Sequence, residues 1–334
     1  MRGDVRGGRA MSAPMSDPMS DRYLAYPPGR GNVWIPTRDG RSASAGLSLL
    51  TFSKPVPLAL QFMLFAVTRV AGPWVLPGRR RQWRPPVAED AWAAISEQVA
   101  EVAGPVDGMA GYIRPQASRA GGAALLLLRA GRPVGFLKVR EAPVELAREA
   151  AALAAFATDG ATGGDTDRAT GGATGGDIGF RVPEVLGTGS AEGFHWLLLS
   201  PMEPVPARPA RNIAVARLSE LISARLAERL VRPAGVPAHW RPMHGDLTPW
   251  NLRLTRTPVP WLIDWEDAGY APPHADETYF AATRRAVYGG PPPARVYGEA
   301  AAYWLDRVRR RTADDAELTR RLLEILETMA GQAG

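Results

Sequence analysis

The chain has 334 residues, 46% hydrophobic and 22% charged, which is enough for at least one sizeable core and predicts two lobes or domains. Cysteine is absent, which excludes disulfide frameworks, cysteine zinc sites and thiol catalysis and leaves the reducing cytoplasm as the expected compartment. The net charge is +6, but the arginines are spread along the chain. We therefore favour a solvated arginine-rich surface over a nucleic-acid interface.

The first 21 residues are rich in Gly, Ser, Pro and Met and lack the apolar core of a signal peptide, so we expect residues 1–21 to be disordered. Residues 22–90 form an extension of undefined structure. The apolar stretch 55–78 is broken by polar residues and prolines, whereas a transmembrane span needs about 20 mostly apolar residues. We expect it to pack on the rest of the protein. The alternative is peripheral membrane contact through residues 55–84, helped by the arginines at 79–81.

A helical pattern from Ala91 to about Val102 precedes three predicted strands at Met109–Arg114, Ala123–Arg129 and Pro133–Val139. The sequence RAGR between the second and third strands is a hairpin signal. A helix is predicted to follow from Pro143.

Residues 159–177 repeat ATGG three times with almost no apolar content, which predicts a flexible surface loop. Two further strands, FRVPEVLG and FHWLLLS, precede a proline-rich connector. Helices dominate from there, including Ala210–Val231. The final helix has an apolar stripe at Leu318, Leu322, Ile325, Leu326 and Met329.

Polar residues that could take part in catalysis or metal binding follow in the sequences MHGDLTPWNLRL and VPWLIDWED. Asp246 and Asn251 lie in the first, and Asp264 ends the apolar run of the second. A carboxylate at the tip of a buried strand is costly unless it is solvated, paired or bound to a cation. Carboxylate and amide oxygens suit Mg²⁺, which keeps waters and substrate phosphates as its other ligands.

These motifs resemble those of the aminoglycoside phosphotransferase and choline kinase superfamily, small-molecule relatives of the protein kinases. The motif H-G-D-x-x-x-x-N is met by His244, Gly245, Asp246 and Asn251, and the motif I-D-[WF]-E by Ile263, Asp264, Trp265 and Glu266. The resemblance implies an α+β, two-lobed, protein-kinase-like fold. Its five-stranded antiparallel small lobe would span residues 91–204 and its mainly helical large lobe residues 205–334.

A kinase-like fold also needs a lysine on its third strand and a glutamate on the helix that follows. Lys138 and Glu149 meet both requirements, and Lys138 is one of only two lysines in the chain. The sequence SPME, at 200–203, falls at the hinge whose backbone would meet adenine. The turn QASRAGG departs from the glycine-rich loop of protein kinases.

The resemblance implies transfer of the ATP γ-phosphoryl group to a hydroxyl of a small molecule, with Mg²⁺ and ATP as cofactors. The resemblance implies that Asp246 is the catalytic base, that Asn251 and Asp264 are metal ligands, and that Glu266 is an additional metal or substrate contact. It implies that Lys138 contacts the α- and β-phosphates and forms an ion pair with Glu149. Further phosphate contacts would come from Ser118, Gly121 and Gly122, and hinge contacts with the nucleotide from Met202 and Glu203.

Three alternatives remain open at this point. A pseudokinase would keep the fold without turnover. A metal-dependent hydrolase would use His244, Asp246 and Asp264 as ligands, but it leaves Lys138 and Glu149 without a role. Nucleic-acid binding rests on charge alone. The sequence defines neither the acceptor nor the oligomeric state, and the short segment between the hinge and His244 does not favour an aminoglycoside.

Overall fold

A computed structural model describes residues 22–29, 31–113, 122–157, 179–311 and 315–332. The N-terminal residues 1–21 and the ATGG segment 159–177, for which we predict disorder and flexibility, lie outside these ranges. No helix in the described ranges is long and apolar enough to cross a bilayer.

Antiparallel pairing joins eight described strands into one sheet, in the order β3-β1-β2-β4-β5-β6-β8-β7. Its strands are β1 (Arg22–Tyr26), β2 (Val33–Pro36), β3 (Arg80–Gln82), β4 (Gly108–Tyr112), β5 (Gly122–Arg129), β6 (Arg132–Arg140), β7 (Val185–Ala191) and β8 (Phe194–Leu199). Two small antiparallel sheets are formed by β9 (Arg208–Pro209), β10 (Arg241–Met243), β11 (Leu252–Leu254), β12 (Trp261–Leu262) and β13 (Gly269–Ala271).

The α+β, two-lobed class is confirmed, but the sheet has more than the five predicted strands. Those five correspond to β4–β8, and the hairpin between β5 and β6 turns at Ala130 and Gly131, both with positive φ as a tight hairpin requires. The additional strands come from the extension: Val33 of β2 pairs with Tyr112 of β4, and β1 and β3 pair beyond it.

The fourth predicted strand is displaced along the chain. We predicted it at residues 180–187, whereas β7 runs from Val185 to Ala191. Pro183 has no N–H to donate to a strand ladder, and Arg181 forms only an isolated bridge with Trp261. The position of β7 is set by its pairing with the apolar strand β8, because the sequence of β7, VLGTGSA, is a weak strand signal.

The described helices are α1 (Gly40–Ser48), α2 (Pro55–Ala71), α3 (Glu89–Ala103), α4 (Val144–Ala154), α5 (Val215–Ala227), α6 (Ala275–Tyr288), α7 (Gly298–Arg310) and α8 (Ala316–Gly331). Helix α5 is shorter than the predicted helix 210–231. Residues 208–209 pair with β11 instead, and the Ala210 N–H bonds to the Leu252 carbonyl. The predicted stripe of α8 is confirmed, with Leu322, Leu326 and Met329 buried.

The large sheet is covered on both faces. Helix α3 packs Ile95 and Val99 against one face, whereas α1 packs Ala45 against Ala110 and Leu126 on the other. A further core cluster continues from α4 and β8 to α5, β11 and Trp265, and so joins the sheet to the helical half. The polar residues of the two sequence motifs lie where this shared core ends.

Helix α2 buries polar residues most completely. Its two buried residues are the polar Gln61 and Thr68, and its large apolar side chains are mainly exposed. The Gln61 amide donates to the carbonyls of Leu47 and Leu50, both at 2.9 Å, at the end of α1. The expected packing on the rest of the protein therefore occurs through one side of the helix, where the half-buried Leu64 and Phe65 pack beside these polar residues.

Replacing Gln61 tests this contact. In Gln61→Leu, the carbonyl of Leu50 loses the amide that donates to it. Because an unsatisfied buried acceptor costs about 1–3 kcal/mol, the free energy of unfolding should fall by that amount. Urea denaturation measures the change. Met63→Leu, an exposed position on the same helix, is the matched control and should behave as the parent. Equal stability of both variants would contradict the assigned contact.

Candidate active site

The HGD loop between β10 and β11 is held in place by its backbone. Gly245 has φ of 83°, and a Cβ at this position would overlap the carbonyl of Asp267, so only glycine fits. The N–H groups of His244 and Gly245 donate to the two oxygens of Asp276 at 2.7 and 3.1 Å. This buried carboxylate fixes the position of the loop that carries Asp246.

Asp246 and Asn251 are in direct contact. The Asn251 amide nitrogen donates to the Asp246 carboxylate at 2.8 Å and to its carbonyl at 3.0 Å. Because the nitrogen is used in this way, the amide oxygen is directed away from Asp246. Burial raises the pKa of Asp246 to about 7; the charge of Arg311 lowers it, and those of Asp264 and Asp267 raise it further.

His244 is a neutral, fully engaged ring. Its Nδ1 accepts the Asp246 N–H at 3.2 Å, so Nε2 carries the proton and donates to the Ile263 carbonyl at 3.2 Å. Burial lowers the pKa of His244 to about 4. The ring also packs against Trp265, with centroids 4.4 Å apart. His244 therefore braces the two motifs against each other.

Lys138 joins the two halves of the molecule. Its Nζ lies 2.8 and 2.7 Å from the two oxygens of Glu149 on α4 and 3.0 Å from Asp264 Oδ1. The Lys138 and Glu149 side chains are 5% and 1% exposed, whereas Asp264 is 24% exposed. Asp264 also has φ of 70°, a left-handed backbone that costs on the order of 1–3 kcal/mol and is typical of functional positions.

The other predicted contacts are placed less directly at this cluster. Glu266 is buried, and its carbonyl accepts from Arg148 at 3.2 Å. Gly122 begins β5, where a Cβ would overlap the Val139 carbonyl and approach Arg140, so its small size has a packing reason. Ser118 and Gly121 lie outside the described residues.

The hinge is tied to the helical half through Glu203. Its carboxylate accepts hydrogen bonds from Arg181 at 2.8 Å, Thr255 at 3.0 Å and Trp261 at 2.8 Å. Met202 beside it is half-buried. The side chain of Glu203 is thus used structurally, and only the backbone of this segment is suited to meeting a ligand.

Two acidic anchors were missed as such from the sequence. The sequence PPHADE predicts only a structural or surface group at Asp276, and the structure gives it the specific loop-fixing role described above. Asp267 accepts from Arg307 of α7 at 2.8 Å and from Arg311 at 3.1 Å, which docks the end of this helix beside Asp246. The only sequence signal for Asp267 was its place next to the IDWE motif.

Arg253 is a third residue that the sequence did not single out. Along β11, Leu252 and Leu254 pack into the core, so Arg253 projects from the opposite face, which it shares with Asn251. It is 3% exposed. Burial lowers its pKa to about 10, while Tyr288 and Tyr112 raise it. An arginine in LRL would ordinarily predict an exposed strand position.

A family model described as the phosphotransferase enzyme family matches residues 216–315, which include both motifs. The predicted resemblance is confirmed. Curated proteins give no match to the chain.

Several solved kinase structures are similar at low identity. A putative fructosamine-3-kinase from Haemophilus somnus 129PT is 12% identical, with 72% of this chain and 98% of that one covered and a TM-score of 0.41. An amicoumacin kinase in complex with AMP-PNP, Ca²⁺ and Ami is 11% identical over 75% and 87%, with a TM-score of 0.40. A microcompartment-associated aminopropanol kinase is 16% identical over 71% and 88%, with a TM-score of 0.37.

The anchor of the HGD loop can be tested with Asp276→Asn. The substitution keeps the volume but turns one acceptor into a donor facing a backbone N–H, so the free energy of unfolding should fall by about 1–3 kcal/mol. Glu277→Gln, the neighbouring residue, is the control and should change stability little. Denaturant titration of both variants measures the difference, and equal stability would show that Asp276 does not hold the loop.

Proposed function

We propose that the protein is an Mg²⁺- and ATP-dependent phosphotransferase that transfers the γ-phosphoryl group to a hydroxyl of a small molecule. The observation that carries the proposal is the contact of Lys138 with both Glu149 and Asp264, residues 11 and 126 positions away in the chain. Such a lysine–glutamate pair beside a metal-binding aspartate is what phosphoryl transfer in kinase-like sites requires.

The donor set suits a magnesium ion. Asp264 offers a partly exposed carboxylate, and Asn251 offers an amide oxygen because its nitrogen is bonded to Asp246. Hard oxygen ligands of this kind leave positions for waters and phosphate oxygens. When bound, the ion would neutralise charge on the transferring phosphoryl group.

Asp246 would act as the base. Its pKa of about 7 lies near the range in which a carboxylate both ionises and accepts a proton efficiently. The acceptor oxygen would form a bond to the γ-phosphorus as the bond to the ADP oxygen breaks, and its proton would pass to Asp246. Asn251 orients the carboxylate, and the Asp276 contacts keep the loop in position.

Lys138 would contact the α- and β-phosphates while Glu149 holds its ammonium in place. Nζ already spans the gap between α4 and Asp264, so phosphate oxygens arriving at the exposed side of Asp264 lie within its reach. Backbone groups of the hinge around Met202 would bind the adenine ring of ATP. Arg253, facing the same side of β11 as Asn251, is a further candidate for contact with the bound molecules.

The bonding of His244 argues against the hydrolase alternative. Both of its ring nitrogens are engaged, one by the Asp246 N–H and the other by the Ile263 carbonyl, which leaves neither for a metal. A pseudokinase would be expected to have lost one of the acting groups. All of these groups are present, since Asp246 contacts Asn251 and Lys138 contacts Glu149 and Asp264. Turnover distinguishes the two possibilities.

The metal assignment is tested with Asp264→Ala. Because a ligand that binds only the folded state raises stability, ATP with Mg²⁺ should raise the melting temperature of the parent but not of this variant. The shift is measured within each variant, so that the lost contact with Lys138 cancels. Asp306→Ala, an exposed carboxylate on α7, should keep the full shift. A full shift in Asp264→Ala would remove the metal assignment.

The lysine is tested with Lys138→Arg, which keeps the charge but replaces a compact ammonium with a wide planar fork. Three oxygens lie within 3.0 Å of Nζ in a buried space, so the guanidinium should displace its partners. Since a misplacement of about 1 Å can cost roughly a hundredfold in rate, phosphoryl transfer should fall by about that factor.

The assay is transfer from γ-labelled ATP to a library of hydroxyl-bearing metabolites. Lys54→Arg, at the other lysine of the chain, is the matched control and should turn over as the parent. Parent-like rates in Lys138→Arg would exclude the phosphate contact. Absence of transfer by the parent, with ATP-induced stabilisation retained, would favour the pseudokinase.

A further inference from the structure

The outer face of α2 is the largest group of exposed apolar side chains on one described helix. Val70 is 89% exposed, Met63 54%, and Trp74, in the turn after the helix, 71%. The remaining large apolar residues of this face are Val56, Leu60, Phe62 and Val67. Monomeric proteins rarely expose a large continuous apolar patch without a binding role.

The orientation of the helix is set from its other side. Gln61 and Thr68, seven residues apart, lie on the inward stripe, and the Gln61 amide is bonded to two carbonyls at the end of α1. Turning the helix to bury its apolar face would break both hydrogen bonds and expose α1. The outward direction of the apolar face is therefore built into the fold.

The chain segment that forms this face has only basic charged residues, whereas Asp39 and Asp107 lie near Arg69 and Val70 at the end of α2. Residues 40–88 contain no Asp or Glu, but they contain Arg41, Lys54, Arg69, Arg79, Arg80, Arg81 and Arg84. The arginines at 79–81 are exposed and enter β3, the edge strand of the large sheet. Arg80 donates to the Pro73 carbonyl at 3.3 Å, which places this cluster directly beside Trp74. Lys54 lies at the other end, at the start of α2.

We propose that this surface, formed by the outer face of α2, Trp74 and the arginines 79–81, docks the protein on an anionic lipid bilayer. An interfacial helix inserts its apolar side chains shallowly while basic residues contact the headgroups, and tryptophan prefers this boundary. Arginine stems can lie along the apolar layer with their charges in the headgroup region. With 17 residues, α2 lies in the surface and does not span it.

Two other occupants fit less well. A second copy pairing through the same face would bring two basic surfaces together, because no carboxylate lies in residues 40–88 to oppose the arginines. The N-terminal segment 1–21 contains one branched aliphatic residue, Val5, and no aromatic residue. Its other large apolar side chains are four methionines, which are separated by small or polar residues, so it matches a face of Phe, Leu, Val and Trp poorly. An anionic bilayer satisfies both the apolar and the basic part of the surface.

The first experiment is flotation of the full chain with vesicles of phosphatidylcholine, or of equimolar phosphatidylcholine and phosphatidylserine. Binding is expected only to the second composition and should weaken with added salt. Since each basic residue contributes about 1 kcal/mol at an anionic surface, replacing Arg79, Arg80 and Arg81 with Gln should reduce binding by about a hundredfold. No binding of the parent to the anionic vesicles would overturn the proposal.

Matched variants separate docking from general attraction. Gln at Arg309, Arg320 and Arg321, exposed on α7 and α8, removes the same charge elsewhere and should bind as the parent. Equal losses in the two triple variants would overturn the proposal, because binding would then follow net charge alone.

The apolar part has its own pair of variants. Ser at Leu60, Phe62 and Val67, which are 47%, 44% and 42% exposed, should lower vesicle binding more than about tenfold, and a thermal melt checks that the variant remains folded at the temperature of the assay. Ser at the exposed Val102, Val144 and Val231 is the control and should bind as the parent. Parent-like binding of the first variant would overturn the proposal.

The other occupants are tested on the same material. Sedimentation without vesicles should give a species of one chain. A dimer that dissociates in the Leu60, Phe62 and Val67 variant would assign the face to self-association instead. Likewise, vesicle binding that appears only after residues 2–21 are deleted would assign it to the N-terminal segment.

Discussion

The contact of Lys138 with Glu149 and Asp264 is the interaction on which the arrangement of the site depends. Two carboxylates and an ammonium meet where the side chains of Lys138 and Glu149 are almost fully buried. Removing one member of such a buried group costs about 3–5 kcal/mol because it leaves an uncompensated charge. Burial therefore makes the pairing of strand, helix and motif aspartate obligatory, whereas a surface pair would leave it loose.

The HGD loop, which carries Asp246, must also be held rigidly in the site. The HGD loop has no regular hydrogen-bond ladder, and its position comes from three local constraints: a glycine with positive φ against Asp267, two N–H groups on Asp276, and a neutral histidine between the motifs. All three act on the backbone of the loop, and two of them depend on the side chains of Asp276 and His244. Asp264 is also held in place locally. The cost of its positive φ is offset by the contact of its carboxylate with Lys138.

Much of this site could be predicted from the sequence because its motifs are contiguous. The spacing in HGDLTPWN brings Asp246 and Asn251 together, and the resemblance to kinase-like proteins implied the pairing of Lys138 with Glu149. The contacts that were missed join residues far apart in sequence: Asp276 lies 32 positions from His244, and Arg311 lies 44 from Asp267. No local pattern marks such partners. The displaced β7 has the same origin, since its position is set by β8 rather than by its own residues.

The extension shows where periodicity alone gives the wrong direction. An apolar stripe on a helix predicts the buried face, and by that rule the large residues of α2 should point inward. What decides the orientation is a polar requirement, because the carbonyls at the end of α1 need donors and Gln61 supplies them. Strands β1–β3 continue the large sheet, and α1 packs against the strands near Lys138. Because α2 is bonded to the end of α1, its apolar side remains outside. The same sheet thus supports the proposed catalytic lysine and presents an apolar, basic surface.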